Sequence, residues 1–285
     1  MSTNVTTRPH KTAIVYDFDG TLAPGNIQEH SFLPKHDVDK NDFWKQVRVL
    51  AKTHDCDEIL VYMHEMLKLA RDKGIPITRE ILRQHGSDIK LYPGVESWFT
   101  RLNKYAADRN LDLEHYVISS GNEELIRGCQ IHDRFKQIFA SRFMYDSNGM
   151  AEWPGLAINY TTKTQYLFRI NKGIHNSWDN QAVNRWIPLD ERSIPFRRMI
   201  FIGDGDTDIP SMKMVRHQGG HAIAVFNSDI WDNPKTQEKL YHLIAEDRAN
   251  YVSPAEYSEG GQLDVIVKGI LGRYARDTGF RSLSN

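Results

Sequence analysis

Cysteine is scarce: Cys56 and Cys129 are the only two among 285 residues. They form no CxxC pair and no metal-ligand spacing, so two free thiols are expected rather than a disulfide framework. The histidines are scattered along the chain, and no zinc site is expected of them. Long apolar runs are missing as well; none approaches the roughly 18 residues that a membrane-spanning helix needs. Neither charge dominates, because 36 Lys and Arg face 37 Asp and Glu for a formal net charge of -1. That balance supplies no basic field for nucleic acid, although a local basic pocket for a small anion stays open. The first eleven residues are polar and carry no apolar region of the secretory kind. A cytoplasmic protein with no nucleic-acid or membrane partner is expected. There is no internal repeat and no low-complexity stretch.

What is present is an ordinary globular composition, 40% hydrophobic and 26% charged, enough to bury a sizeable core. Four short runs are continuously apolar and rich in β-branched or aromatic residues. They are Ala13-Ile14-Val15-Tyr16, Tyr116-Val117-Ile118, Met199-Ile200-Phe201-Ile202 and Ala222-Ile223-Ala224-Val225-Phe226. None alternates apolar with polar, which is the pattern of a strand covered on both faces, as in a parallel sheet. Amphipathic stretches at 98–107 and 123–139 separate them and predict helices. Strands alternating with helices predict a doubly wound α/β core. Between the first two strands, residues 26–91 offer no convincing strand. Apolar residues at helical spacing predict helices there over 39–53 (Phe43, Val47, Leu50) and 57–73 (Ile59, Leu60, Met63, Leu67, Ala70). A shorter helix is predicted over 78–84, capped by Thr78. Asp146-Ser147-Asn148-Gly149 predicts a hairpin turn within an insertion at about 142–162. Residues 178–198 are polar and irregular, and a final helix is predicted near 262–276.

Three of the predicted strands run into polar residues of one kind. The first ends in Asp17-Phe18-Asp19-Gly20-Thr21, the second in Ser119-Ser120-Gly121, the third in Gly203-Asp204-Gly205-Asp206-Thr207-Asp208. Ligands of open α/β sheets bind beyond the carboxyl ends of the strands. Parallel neighbours would therefore bring Asp17, Asp19, Ser119 and Asp204 to one rim. Crowded carboxylates repel, and a hard cation with oxygen ligands resolves the repulsion; Mg²⁺ also leaves room for phosphate and water. A Ser119 or Ser120 hydroxyl and the Gly121 backbone could meet a phosphate oxygen, and Lys163 is the candidate for the balancing cation, with Lys172 nearby.

These motifs in this order resemble the haloacid dehalogenase superfamily: a DxDGT, a Ser after an apolar strand, a downstream Lys, and the GDGxxD of residues 203–208. The resemblance runs from about residue 13 to 225, and the helical insertion is similar to the α-helical cap of phosphoserine phosphatase-like members. It implies a Rossmann-like core at 1–24 and 91–285 with a cap at 25–90. It further implies a Mg²⁺-dependent phosphatase acting on a small phosphorylated metabolite through an aspartyl-phosphate. Asp17 would be the nucleophile and Asp19 the acid and base. Ser119, Ser120 or Gly121 and Lys163 would hold phosphoryl oxygens. Mg²⁺ would take the side chains of Asp17 and Asp204 and the backbone carbonyl of Asp19, with Asp208 supporting that shell.

Other readings compete. A phosphomutase uses the same acid and base, and an idle scaffold would merely bind a phosphometabolite. The acidic run 204–208 also opens like an EF-hand loop, but Ile209 and Val215 stand where Gly and Glu are needed. Asp206 is either part of the site or a solvated turn residue. Glu29, His30 and Arg48 fall in the expected cap. The stretch Ala23-Pro24-Gly25-Asn26 carries no acid to read an amino group, and Glu29 is the first acid reached, which argues against phosphoserine itself. Pro24-Gly25 and Pro93-Gly94 are the expected hinges.

Overall fold

The computed structural model describes residues 9–205 and 207–279; Asp206 lies outside the described residues. β1 (His10–Tyr16) starts the sheet and carries the first apolar run. Four helices follow: α1 (Phe32–Lys35), α2 (Lys40–His54), α3 (Glu58–Lys73) and α4 (Arg79–Gly86). Asp39 caps α2 through the N–H groups of Asn41 and Asp42, and Asp57 caps α3 through those of Ile59 and Leu60. Each satisfies amide donors that the first helical turn leaves open. α5 (Val95–Ala107) then returns the chain to β2 (Leu111–Asn122), and α6 (Glu123–Gly128) leads to β3 (Gln137–Tyr145) and β4 (Ala151–Leu156). The second half runs α7 (Lys163–Lys172), α8 (Asn180–Asn184), β5 (Met199–Gly203), α9 (Ile209–His217), β6 (His221–Phe226), α10 (Pro234–Ala245), β7 (Tyr251–Pro254) and α11 (Gln262–Asp277).

The described strands form one sheet in the order β4-β3-β2-β1-β5-β6-β7. All neighbours are parallel except β3 and β4. The doubly wound α/β architecture expected from the apolar runs is the one found. From β1 the chain winds outward to β2 and β3, then returns to β5 and winds the other way. The order therefore reverses between β1 and β5, which is where such sheets bind ligands. One apolar cluster covers one face and continues without a break into α2 and α3, through Phe43, Val47, Tyr62 and Met63. A second fills the other face around Val15, Phe201 and Tyr166. No helix among the described residues is long and apolar enough to cross a membrane.

One local reading changes. Residues 123–139 are not one helix: α6 stops at Gly128, and Ile138, Phe139 and Ala140 enter the sheet as β3. The hairpin is this same strand carried past the sheet's rim and turned back as β4. His217 and His221 stand four apart, the spacing of a helical zinc pair, but α9 ends at His217. His221 instead opens β6, with Nδ1 against the Tyr274 hydroxyl at 2.8 Å.

Beside the rim a buried polar chain crosses the core. Trp98 Nε1 donates to the Tyr16 hydroxyl at 2.8 Å, so that hydroxyl donates onward to His115 Nδ1 at 3.0 Å. The proton of the neutral ring then sits on Nε2, which faces Asn103 Oδ1 at 2.9 Å. The chain pins Tyr16, and with it the residue that follows.

Candidate active site

Asp17 is that residue. Its backbone N–H donates to Ile202 O at 2.9 Å, extending the β1–β5 ladder by one step and fixing the carboxylate at the switch point. Lys163, the first residue of α7, points its ammonium at 2.9 Å from Asp17 Oδ1 and 2.8 Å from Asp208 Oδ1. Thr207 Oγ1 accepts a further bond at 3.2 Å. Lys163 and Asp208 are wholly buried and Asp17 nearly so. Burial alone would disfavour the ammonium, but Asp17 and Asp208 outweigh it and hold the Lys163 pKa above its ordinary value. Burial, then the neighbouring Asp208, pushes the Asp17 carboxyl well above the usual carboxylate range, against the pull of Lys163.

Asp17, Asp204 and Asp208 each offer an oxygen within 4.8 Å of the others. Asp208 Oδ2 is buried with no hydrogen-bond partner, a costly state for a carboxylate oxygen unless something else binds it. Ligand oxygens of an octahedral Mg²⁺ lie about 3–4 Å apart, given bonds of about 2.1 Å. A small shift of these three would suffice, so donor type, spacing and excess negative charge all fit a hard divalent cation.

Asp19 faces elsewhere. Ile27 N–H donates to its Oδ1 at 2.9 Å, and its other oxygen lies beside Gly121. A Cβ at position 121 would stand 2.8 Å from Asp19 Oδ2 and 3.2 Å from Ser119 Oγ. Only glycine lets those two groups share one wall. Burial pushes the Asp19 carboxyl up to about 7, although the Ile27 N–H and Lys163 oppose the shift.

Ser119 is fully buried and its Oγ accepts the Gly121 N–H at 2.9 Å. Ser120 lines the cleft, with its Oγ buried and unpartnered and its carbonyl accepting from the Tyr62 hydroxyl at 2.9 Å. Lys172 is placed away from the acids, at the far end of α7, where it holds the carbonyls of Val183 and Arg185.

The cleft has a volume of about 600 Å³ and lies between this rim and the helical segment. Asn41, Trp44 and Arg48 of α2 line it, with Ile59 and Tyr62 of α3 opposite Asp17, Asp19 and Asp204. Of the other candidates, Arg48 reaches the cleft but Glu29 is occupied. It accepts from Asn26 and Trp44 at 2.8 Å each and pairs with Lys40 at 3.2 Å. His30 stitches the two connections of the segment, with Nε2 at 2.7 Å from Pro24 O and Nδ1 accepting from Lys90 N. Sequence reasoning missed Tyr62, Thr207, Asp57 and Asn159. The last could have been read from Asn159-Tyr160-Thr161-Thr162, the side-chain oxygens that precede a helix start.

Residues 14–213 match the model of the haloacid dehalogenase-like hydrolases, and the chain belongs to that family. It is 24% identical to an uncharacterized protein of Borreliella burgdorferi, covering 90% of this chain and 95% of the relative. Among solved structures it is similar to a family hydrolase of Salmonella enterica serovar Typhi, with TM-score 0.57, 13% identity, and 92% of this chain and 72% of the other covered. A probable phosphoserine phosphatase of Vibrio cholerae gives 0.55 at 15% identity, covering 95% and 68%. A phosphoserine phosphatase held as an analogue of its phospho-aspartyl intermediate gives 0.51 at 18%, covering 91% and 99%. These likenesses carry the fold.

Proposed function

We propose that this hydrolase is a Mg²⁺-dependent phosphatase of small phosphate monoesters, working through an aspartyl-phosphate on Asp17. The observation that carries the reading is a buried carboxylate paired with a buried lysine, next to an acid whose carboxyl burial pushes up to about 7. A carboxylate oxygen of Asp17 attacks phosphorus as the ester P–O bond breaks, and Asp19 delivers its proton to the leaving oxygen. Asp19, now a carboxylate, takes a proton from a water whose oxygen attacks the same phosphorus. The acyl-phosphate bond breaks, inorganic phosphate leaves, and both acids regain their starting states. A group serving in both directions works best with a pKa near the working pH. Lys163 holds negative charge in place through both steps, with the Ser119 hydroxyl as a donor to a phosphoryl oxygen.

Asp17 and Asp204 would hold the cation with the backbone carbonyl of Asp19, and Asp208 would steady that set. Bound there, Mg²⁺ supplies positive charge toward the transferring group. Residues 25–90 are the cap in this reading, closing the cleft against water during the first step. The test is a panel of phosphorylated metabolites assayed for phosphate release with Mg²⁺ and after chelation. Release that needs the metal and is lost by at least ~10³-fold in Asp17→Asn supports the reading; turnover unchanged in that variant sinks it. Phosphoryl label retained on an organic product would instead mark a mutase.

A further inference from the structure

One residue outside the family motifs touches both the start of α7, where Lys163 stands, and the helical segment across the cleft. Asn159 stands in the loop between β4 and α7. Its Oδ1 accepts from Thr161 N at 3.1 Å, Thr161 Oγ1 at 3.0 Å and Thr162 N at 3.0 Å. Its own N–H donates to Thr162 Oγ1 at 2.8 Å, and its carbonyl accepts the Lys163 N–H at 2.9 Å. These bonds build the turn that launches α7 and aims Lys163. With its oxygen fully used, the side chain has only its amide nitrogen left, and that reaches the helical segment. Nδ2 donates to Asp57 Oδ2 at 2.6 Å.

Asp57 divides its labour in the same way. Oδ1 caps α3 through Ile59 N at 2.9 Å and Leu60 N at 3.2 Å, while Oδ2 is kept for Asn159. Both residues line the cleft. A bond to an ionised acceptor is roughly twice as strong as a neutral one. Opening the cap therefore breaks a charge-assisted bond whose other partner sets the backbone of the catalytic lysine.

We infer that Asn159 is a positioning residue that couples docking of the cap to placement of the Lys163 ammonium; the inference rests on the phosphatase reading above. The pair is chemically reversible, and that makes it testable. Asn159→Asp keeps the oxygen that builds the α7 turn but sets a second carboxylate against Asp57. Asp57→Asn keeps a capping oxygen but sets two amide donors face to face. Combining them restores one donor and one ionised acceptor, with the roles exchanged.

Two readouts apply. In steady-state kinetics on the best substrate of the panel, each single variant should lose about tenfold in kcat with KM within about threefold, as for an interaction made in the transition state. The double variant should return to within about twofold of wild type, because the charge-assisted bond is re-formed. In hydrogen–deuterium exchange without substrate, amides of residues 58–73 should exchange about fivefold faster in each single variant, the loss expected for one such bond, and at the wild-type rate in the double. A double variant no better than its singles in both assays, with all proteins folded by circular dichroism, overturns the inference. So do singles that lower the melting temperature while kcat and exchange stay unchanged. Were the wild type itself inert, the phosphatase reading would fail separately, and the exchange series would still decide whether this pair holds the cap.

Discussion

Ser119 and Ser120 adjoin at the end of β2, and the structure gives them different surroundings. Ser119 accepts the Gly121 N–H and faces the wall shared with Asp19, so its hydroxyl proton remains available to an anion. Ser120 lines the cleft with its carbonyl held by the Tyr62 hydroxyl and its own Oγ buried without a partner. Ser119→Ala is therefore expected to lower kcat/KM by about 10²-fold, as for removal of one donor to a developing oxyanion. Ser120→Ala should cost less than about fivefold on the same scale; steady-state assays of the two variants check the order. The acids were legible in the sequence because they cluster just past short apolar runs, rich in β-branched and aromatic residues, that read as buried strands. The lysine was legible only as a candidate, since nothing in the spacing of Lys163 and Lys172 says which end of a helix meets the rim. A ten-residue helix spans about 15 Å, so only one of them can. Asn159 and Asp57 were illegible as a pair, being 102 residues apart and joined solely by how the helical segment lies.

At the scale of elements, α4 and α6 meet through glycine. A Cβ on Gly86 would stand 2.1 Å from Leu125 O, and one on Gly128 would stand 1.9 Å from Arg83 O. The two backbones touch where any side chain would force them apart. Gly128→Ala should lower the unfolding free energy by about 2 kcal/mol, the usual scale of overpacking, even though alanine favours the helix. A denaturant titration gives the value, and an unchanged midpoint would contradict the packing described. The same glycine marks where sequence reading failed. Apolar spacing over 123–139 continued past Gly128 by coincidence, since β3 also supplies apolar residues from Ile138. Gly128, the last residue of α6, is the stop sign. β7 is only four residues long, with an exposed Tyr251 and a terminal Pro254, too little pattern to separate from loop. α10 was the more readable omission, since Asn233 and Pro234 are a cap and a first-turn proline.

At the scale of the whole molecule, acid should unfold the protein in part through His115. Burial lowers its pKa from 6.5 to about 3, so the folded ring stays neutral while the unfolded ring takes a proton below pH 6.5. The unfolded state then binds more protons, and stability falls as pH drops from 6.5 to about 3, after which this group adds no further loss. The slope is about 1.4 kcal/mol per pH unit within that window. His115→Gln, which cannot titrate, should flatten the pH dependence of the melting temperature there; an equal slope in both proteins would exclude His115 as the cause. Burial also holds His85 down, to about 4, and it acts in the same direction. The helical segment and the hairpin are bound into this whole as well. Ala151 N–H donates to Ile77 O at 2.8 Å, and the Arg79 guanidinium lies 3.9 Å above the Tyr145 ring. For chimaera design this joint sets a limit. Grafting residues 25–90 alone onto another scaffold would strip Ile77 and Arg79 of these partners and part α4 from the α6 backbone it touches, and β3 cannot travel along because it is paired with β2 in the sheet.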